Sequence, residues 1–397
     1  VVREHRVLPK PRSADLDDRV KRLVEGPPRP PRAGRGDSIV VVALVAIVIG
    51  VGLALAGAGG GSEPAAESTC PRPGAPTRDR VSDAGFSEGS GLPGRTDSEL
   101  ERELAGIAAT GARFLRMDFD WSYLGRKEGR TDWSPVDRVV RVARRCRLEV
   151  LALLTYTPEW ARRPGGSDHS PPADVTDFAE FASEAVDRYR PLGVRTWEIW
   201  NEPNLAFYWE PAPDPAEYAA LLVAAYDAIK AADPDATVLT GGLARAVDEP
   251  DGAAVAPVTF LEGVYAAGAA DHFDAVAHHP YSFPALPLQE DGANAFADDT
   301  PRLHEVMDEH GDRDKQVWGT EMGAPTSGDL SARFVAEYVT EAYEAWRDWS
   351  FTGPLIWYSY RDAGSDPDDP EDHFGLVRAD FTPKEPALSA FEAVVGG

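Results

Sequence analysis

From residue 77 onward, short apolar runs alternate with longer stretches whose apolar positions recur every three to four residues. The short runs are VSDAGF (81–86), ARFLRMD (112–118), LEVLALLT (148–155), TWEIW (196–200), ATVLTG (236–241), FDAVAH (273–278), QVWGTE (316–321) and PLIWYS (354–359). Their length and apolar content predict strands. Between and after them, segments 97–110, 134–146, 172–190, 214–232, 258–268, 300–310, 329–349 and 385–394 carry the helical pattern. The first of these opens with TDSE, a capping Thr96 with Glu99 three residues on, and closes at Gly111.

Eight strands, each followed by a helix, predict an α/β fold of the (β/α)8 TIM-barrel type over residues 77–397. A doubly wound sheet is the alternative. It needs a phosphate-cradling glycine loop opening a helix after the first strand, whereas the glycines of GFSEGSGLPG open no helix and read as a turn.

Ahead of the barrel the pattern is different. Residues 1–37 mix charges with several prolines and read as a disordered cytoplasmic tail. Residues 38–62 carry no charge, and their apolar part, 38–58, has the length of a transmembrane anchor helix. The Arg-rich flank lies before this span, so the N-terminus is expected in the cytoplasm and the body outside the cell. A cleaved signal peptide, with ALA at 54–56 as its cleavage site, is the rival and would leave a secreted protein. Residues 59–76 are rich in Gly, Ser, Ala and Pro and read as a linker.

Charge narrows the partners. The net charge is −26, and residues 1–37 hold ten Lys/Arg against six Asp/Glu, so the remainder is more acidic still. Such a body is unsuited to nucleic acid. Two cysteines, Cys70 and Cys146, exclude a Cys-rich metal site but leave room for one bridge in an exported body.

In a (β/α)8 barrel, chemistry sits at the C-terminal strand ends. There the sequence places Asn201-Glu202 on the fourth strand, Glu321 on the seventh, Arg116 and Asp118 on the second, His279 and Tyr281 on the sixth, and Trp357 and Tyr360 on the eighth. Two carboxylates facing across a barrel mouth suit cleavage of a glycosidic bond: one donates a proton to the leaving oxygen, and the other attacks the anomeric carbon or activates water. Arg116 and Tyr281 are expected around the nucleophile. Trp121, Trp160, Phe207, Tyr208 and Trp209 fall in loops at the same end and are expected to stack on sugars, although core packing is the alternative for each. Adjacent His278 and His279 point to opposite faces of a strand, so no metal site is expected. The run SDPDDPED (365–372) lacks the spacing of a calcium loop and reads as solvated.

WNEPN on the fourth strand and TEMG on the seventh resemble clan A of the glycoside hydrolases, the retaining (β/α)8 enzymes, over residues 77–394. GARFLRMDFDW, LEVLALLTYTPEWA and FDAVAHHPYSF are similar to the second, third and sixth strands of families 39 and 5. The resemblance implies Glu202 as acid/base and Glu321 as nucleophile. It further implies Asn201 on the sugar 2-hydroxyl, Arg116 and Tyr281 holding the nucleophile, His279 in a subsite, and Trp357 under the sugar at the cleavage point. Carbohydrate is then the substrate, and no cofactor is needed. Thr155-Tyr156 stands where several family 5 enzymes have His, which favours a family 39-like enzyme. Two other readings use the same residues: a carbohydrate-binding barrel without catalysis, and a transglycosylase sharing the first chemical step.

Overall fold

The computed structural model describes Cys70, residues 83–289 and residues 294–396, all within the unit Ala58–Gly397. The tail, the apolar span 38–58 and nearly all of the linker lie outside the described residues. Among the described residues no helix is long and apolar enough to cross a membrane.

The strands are β1 (Ala84–Ser87), β2 (Phe114–Asp120), β3 (Glu149–Thr155), β4 (Thr196–Ile199), β5 (Thr237–Leu239), β6 (Leu243–Ala244), β7 (Ala275–His279), β8 (Gln316–Met322) and β9 (Thr352–Tyr358). All pair in parallel, and β9 pairs with both β8 and β1. The bridge Leu239↔Ala275 joins β5 to β7, so eight strands close into a barrel, with the two-residue β6 attached to β7. The helices are α1 (Asp97–Ala109), α2 (Trp121–Leu124), α3 (Ser134–Arg145), α4 (Val175–Tyr189), α5 (Pro215–Ala232), α6 (Pro257–Ala266), α7 (Thr300–Glu309), α8 (Ala332–Asp348) and α9 (Ala387–Gly396). Apart from the single turn α2, each helix follows one barrel strand, and all but the last lead to the next. This is the (β/α)8 architecture expected from the sequence.

Local chemistry explains the boundaries. Thr96 and Glu99 close a reciprocal box at the start of α1: the Glu99 amide donates to Thr96 Oγ1, and the Thr96 amide donates to Glu99 Oε2. Asp214 caps α5 through the amides of Ala216 and Glu217, with Pro215 at the first helical position. Cys146 ends α3 and forms a disulfide with Cys70, the Cα atoms 4.9 Å apart.

The barrel interior changes character along its axis. Its lower part is an apolar plug of Phe114, Leu151, Leu239, Ala275, Ala277, Trp318 and Ile356. Two residues further along β2 the inward position is Arg116, and two further along β7 it is His279; both are buried. The plug thus forms the floor on which a charged layer rests.

Candidate active site

Glu202 and Glu321 reach the barrel mouth by different backbone devices. After β4 ends at Ile199, Trp200 (φ 74°) and Glu202 (φ 45°) adopt left-handed backbone, rare and costly for residues other than glycine. The Glu202 amide donates to the Gly242 carbonyl at 3.1 Å, which fixes the turn. Glu321 arrives through a bulge. Between Gly319 and Met322 β8 has one more residue than the facing segment Leu355–Trp357, so Thr320 and Glu321 both reach the interior groups.

One carboxylate oxygen of Glu202 and one of Glu321 lie within 4.8 Å of each other, with His279 Nδ1 inside the same radius. His279 Nδ1 is 2.8 Å from Glu202 Oε1 and 3.7 Å from Glu321 Oε2. Its Nε2 faces Arg116 Nη2 at 3.4 Å. The guanidinium can only donate, so Nε2 accepts and Nδ1–H donates to Glu202. These three side chains also form a donor set of the kind a cation uses. However, Arg116 already supplies the local positive charge and Nδ1 is committed to Glu202, so the set fits carboxylate chemistry better than metal ligation.

Three donors converge on Glu321. Arg116 Nη1 and Ser87 Oγ (3.2 Å) donate to Oε1, and the Tyr281 hydroxyl donates to Oε2 at 3.2 Å. Burial pushes the Glu321 carboxyl upward, but Arg116, His279, Ser87 and Tyr281 outweigh it and hold the group below the ordinary glutamate range. Burial and the neighbouring carboxylates push the Tyr281 phenol well up, so it stays a donor. Arg116 Nη2 also donates to Asn201 Oδ1 at 3.1 Å, so the Asn201 amide hydrogens are not used in this contact.

Arg116, Asn201, Glu202, His279, Tyr281 and Glu321 therefore meet in one cluster. The tryptophans expected as sugar platforms do not. Trp121 is buried against Phe181, Phe178 and Trp160. Trp209 is fully buried against Trp200 and Tyr218, its indole N–H directed at Glu217. Both pack behind the loops and offer no face to a ligand. Trp160 is partly exposed, with its indole N–H on the Gly125 carbonyl. Phe207 is the exposed ring of the group, whereas Tyr208 is buried.

Trp357, expected under the sugar, does not face the site. Ile356 belongs to the interior plug, so strand alternation turns Trp357 outward, where it packs edge-on against Tyr338 of α8. Tyr358 takes the inward position, and its hydroxyl lies 3.5 Å from Glu371 Oε2. His278, one residue before His279, likewise faces outward, with both ring nitrogens on backbone carbonyls.

Three residues of the cluster were not singled out from sequence. Glu198, inside TWEIW, is fully buried and holds Arg116 by two bonds, Nε–Oε2 at 2.7 Å and Nη2–Oε1 at 2.9 Å. A carboxylate within a barrel strand was the available signal, because such a group needs a buried cation. Ser87 at the end of β1 was the second. The third, Glu371, lies in the acidic run read as solvated. Burial, with Glu321, Asp369 and Glu202 nearby, pushes its carboxyl up to about 7.

Asp118, two residues beyond Arg116, is buried in the same mouth. Burial raises its carboxyl to about 7 against the pull of Arg116, with Asp120, Glu321 and Glu198 adding to the rise. The native state therefore holds a proton on Asp118 that the unfolded chain releases near its ordinary value. The resulting stabilisation is complete below that value and is lost as pH rises through about 7. At most about 4 kcal/mol is at stake. Thermal unfolding of Asp118→Asn should show a shallower loss of Tm between pH 5 and 8 than the wild type; parallel profiles would refute this.

No protein-family model matches the chain. A curated β-xylosidase from Geobacillus stearothermophilus is 37% identical over 71 residues, which is 16% of this chain and 14% of the xylosidase. A solved family 39 glycoside hydrolase from Bacteroides cellulosilyticus WH2 matches with a TM-score of 0.66 and 25% identity, covering 80% of this chain and 64% of that one. The barrel resembles those of glycoside hydrolase families 39 and 5. For family 5, the GH5_18 structure from Streptomyces cattleya in complex with GlcNAc matches with a TM-score of 0.61 and 20% identity, over 80% of each chain. The chain thus spans less than two-thirds of the family 39 structure's length and about one-seventh of the curated xylosidase.

Proposed function

We propose that this chain is a retaining glycoside hydrolase that cleaves β-linked neutral oligosaccharides or polysaccharides. The observation that carries the reading is the pair Glu202 and Glu321, with carboxylate oxygens within 4.8 Å of each other and only Glu321 held by Arg116. Retaining enzymes bring their carboxyl groups to roughly 5–5.5 Å, whereas inverting ones leave roughly 6.5–9.5 Å for a water. The close pair supports double displacement.

In this mechanism Glu321, kept ionised by Arg116, Ser87 and Tyr281, attacks the anomeric carbon while Glu202 protonates the departing oxygen. The C–O bond to the leaving group breaks as the glycosyl ester to Glu321 forms. Water then enters, Glu202 removes its proton, and the new C–O bond displaces Glu321. Asn201, its carbonyl oxygen fixed by Arg116, is placed to donate to a sugar hydroxyl. Tyr358 replaces Trp357 as the aromatic on β9 facing the sugar.

The charge-free span 38–58 behind a basic flank supports anchoring to the cell membrane with the catalytic domain outside, where envelope polysaccharides are within reach. The test of the reaction is proton NMR of the first-formed product from an aryl β-glycoside, with xylosides, glucosides and mannosides compared. A β-anomer appearing before mutarotation is expected. An α-anomer would overturn retention, and binding without turnover would favour a carbohydrate-binding barrel.

A further inference from the structure

Arg116 stands between two carboxylates. On one side Nε and Nη2 bond both oxygens of Glu198; on the other Nη1 bonds Glu321, with Ser87 Oγ 3.1 Å away. Glu198 is itself fixed from two further directions, because its Oε1 accepts from the Gly242 amide at 3.0 Å and from Thr320 Oγ1 at 3.2 Å. Gly242 has to be glycine for this approach, since a Cβ there would lie 2.1 Å from His279 Nε2. Both Glu198 oxygens are thereby satisfied by neighbours on β2, β8 and the turn before β6, and the group is sealed from solvent.

We propose that Glu198 is a positioning residue that sets both the plane and the effective charge of Arg116. Fixing the plane aims Nη1 at the nucleophile and Nη2 at Asn201, so one buried carboxylate orients two substrate-side groups it does not touch. Sharing the charge weakens the hold of Arg116 on Glu321. A guanidinium paired with Glu321 alone would leave that carboxylate ionised but too tightly held to attack. A purely structural ion pair predicts neither effect.

This inference rests on the assignment of Glu321 as nucleophile, so the experiment reads Glu321 with and without turnover. In Glu198→Gln the charge is removed and the side-chain length kept, with one acceptor lost because the amide nitrogen cannot accept where an oxygen did. The other ionisable groups facing Glu321, namely Asp118, Glu202, His279, Glu371 and the tyrosines Tyr156, Tyr208, Tyr281 and Tyr358, are untouched. With one acidic neighbour gone and Arg116 no longer shared, the acidic limb of kcat/KM should move to lower pH. The Glu321 carboxyl resonance, identified by its loss in Glu321→Gln and followed by carbon-13 NMR, should titrate lower with it. In the same variant kcat should fall about 100-fold with KM changed less than about threefold.

Where Glu198→Gln fails to fold, Glu198→Asp keeps the charge but sets the carboxylate back by one methylene, out of reach of Nε and Nη2. It should lower kcat about tenfold and leave the limb in place. An unmoved or upward-shifted Glu321 titration in folded Glu198→Gln overturns the proposal, as does Glu198→Asp with wild-type kcat. A wild-type protein without glycosidase activity would instead sink the functional reading, and the NMR titration would still judge the charge sharing.

Discussion

Replacement of Glu321 by alanine should abolish turnover at every pH, with kcat at least about 10⁴-fold below wild type. The size of the loss follows from the step removed: without the carboxylate no glycosyl ester forms, and the donors on Arg116, Ser87 and Tyr281 are left around a hole. Small anions test the geometry of that hole. Azide should enter the vacated position and attack the anomeric carbon of an activated β-glycoside, giving an α-glycosyl azide. Stopped assays and product NMR check both parts. Residual turnover above a few per cent would remove Glu321 from the nucleophile's role. In the wild type, the donors that keep Glu321 ionised place the acidic limb of kcat/KM below the ordinary glutamate range.

Glu202→Ala should behave differently. Its loss is expected to depend on the leaving group: about 10²–10⁴-fold for an unactivated alkyl or sugar aglycone, and little on glycosylation with a dinitrophenyl aglycone, which departs without a proton. Water would then lack its base, so deglycosylation becomes rate-limiting and a burst of phenol precedes slow turnover. Azide should relieve this block and yield a β-glycosyl azide, of opposite configuration to the product from Glu321→Ala. The basic limb of the pH profile should vanish as well. Its persistence in Glu202→Ala would assign the proton to another group, and Glu371, with its carboxyl near neutrality, would be the first alternative.

The eight βα units and the strand ends that hold the two acids were legible in the sequence, because both depend on periodicities that the chain writes locally. What escaped depended on parity and on distant partners. Trp357 and Tyr358 differ by one residue, and that single step decides which ring faces the sugar and which packs on α8. The bulge that brings in Glu321 breaks the same alternation on β8. Trp121 and Trp209 lie in loops by sequence but are covered once α4 and α5 pack over them, as the contacts to Phe181 and Tyr218 show. Glu198 looked like an oddity within an apolar strand until β2 brought Arg116 to it, 82 residues away along the chain. The acidic run 365–372 has no pattern that marks Glu371 as the member turned toward Tyr358.

The proposed reaction passes through a covalent ester between Glu321 and the sugar. Incubation with a 2-deoxy-2-fluoro β-glycoside bearing a good leaving group slows the second step and lets this ester accumulate. Mass spectrometry of the intact protein, followed by peptide mapping, should show one added fluorosugar on the peptide containing Glu321, with loss of activity in parallel. A label on another residue would contradict the account. So would hydrolysis of the natural β-glycoside with inversion and no label on Glu321.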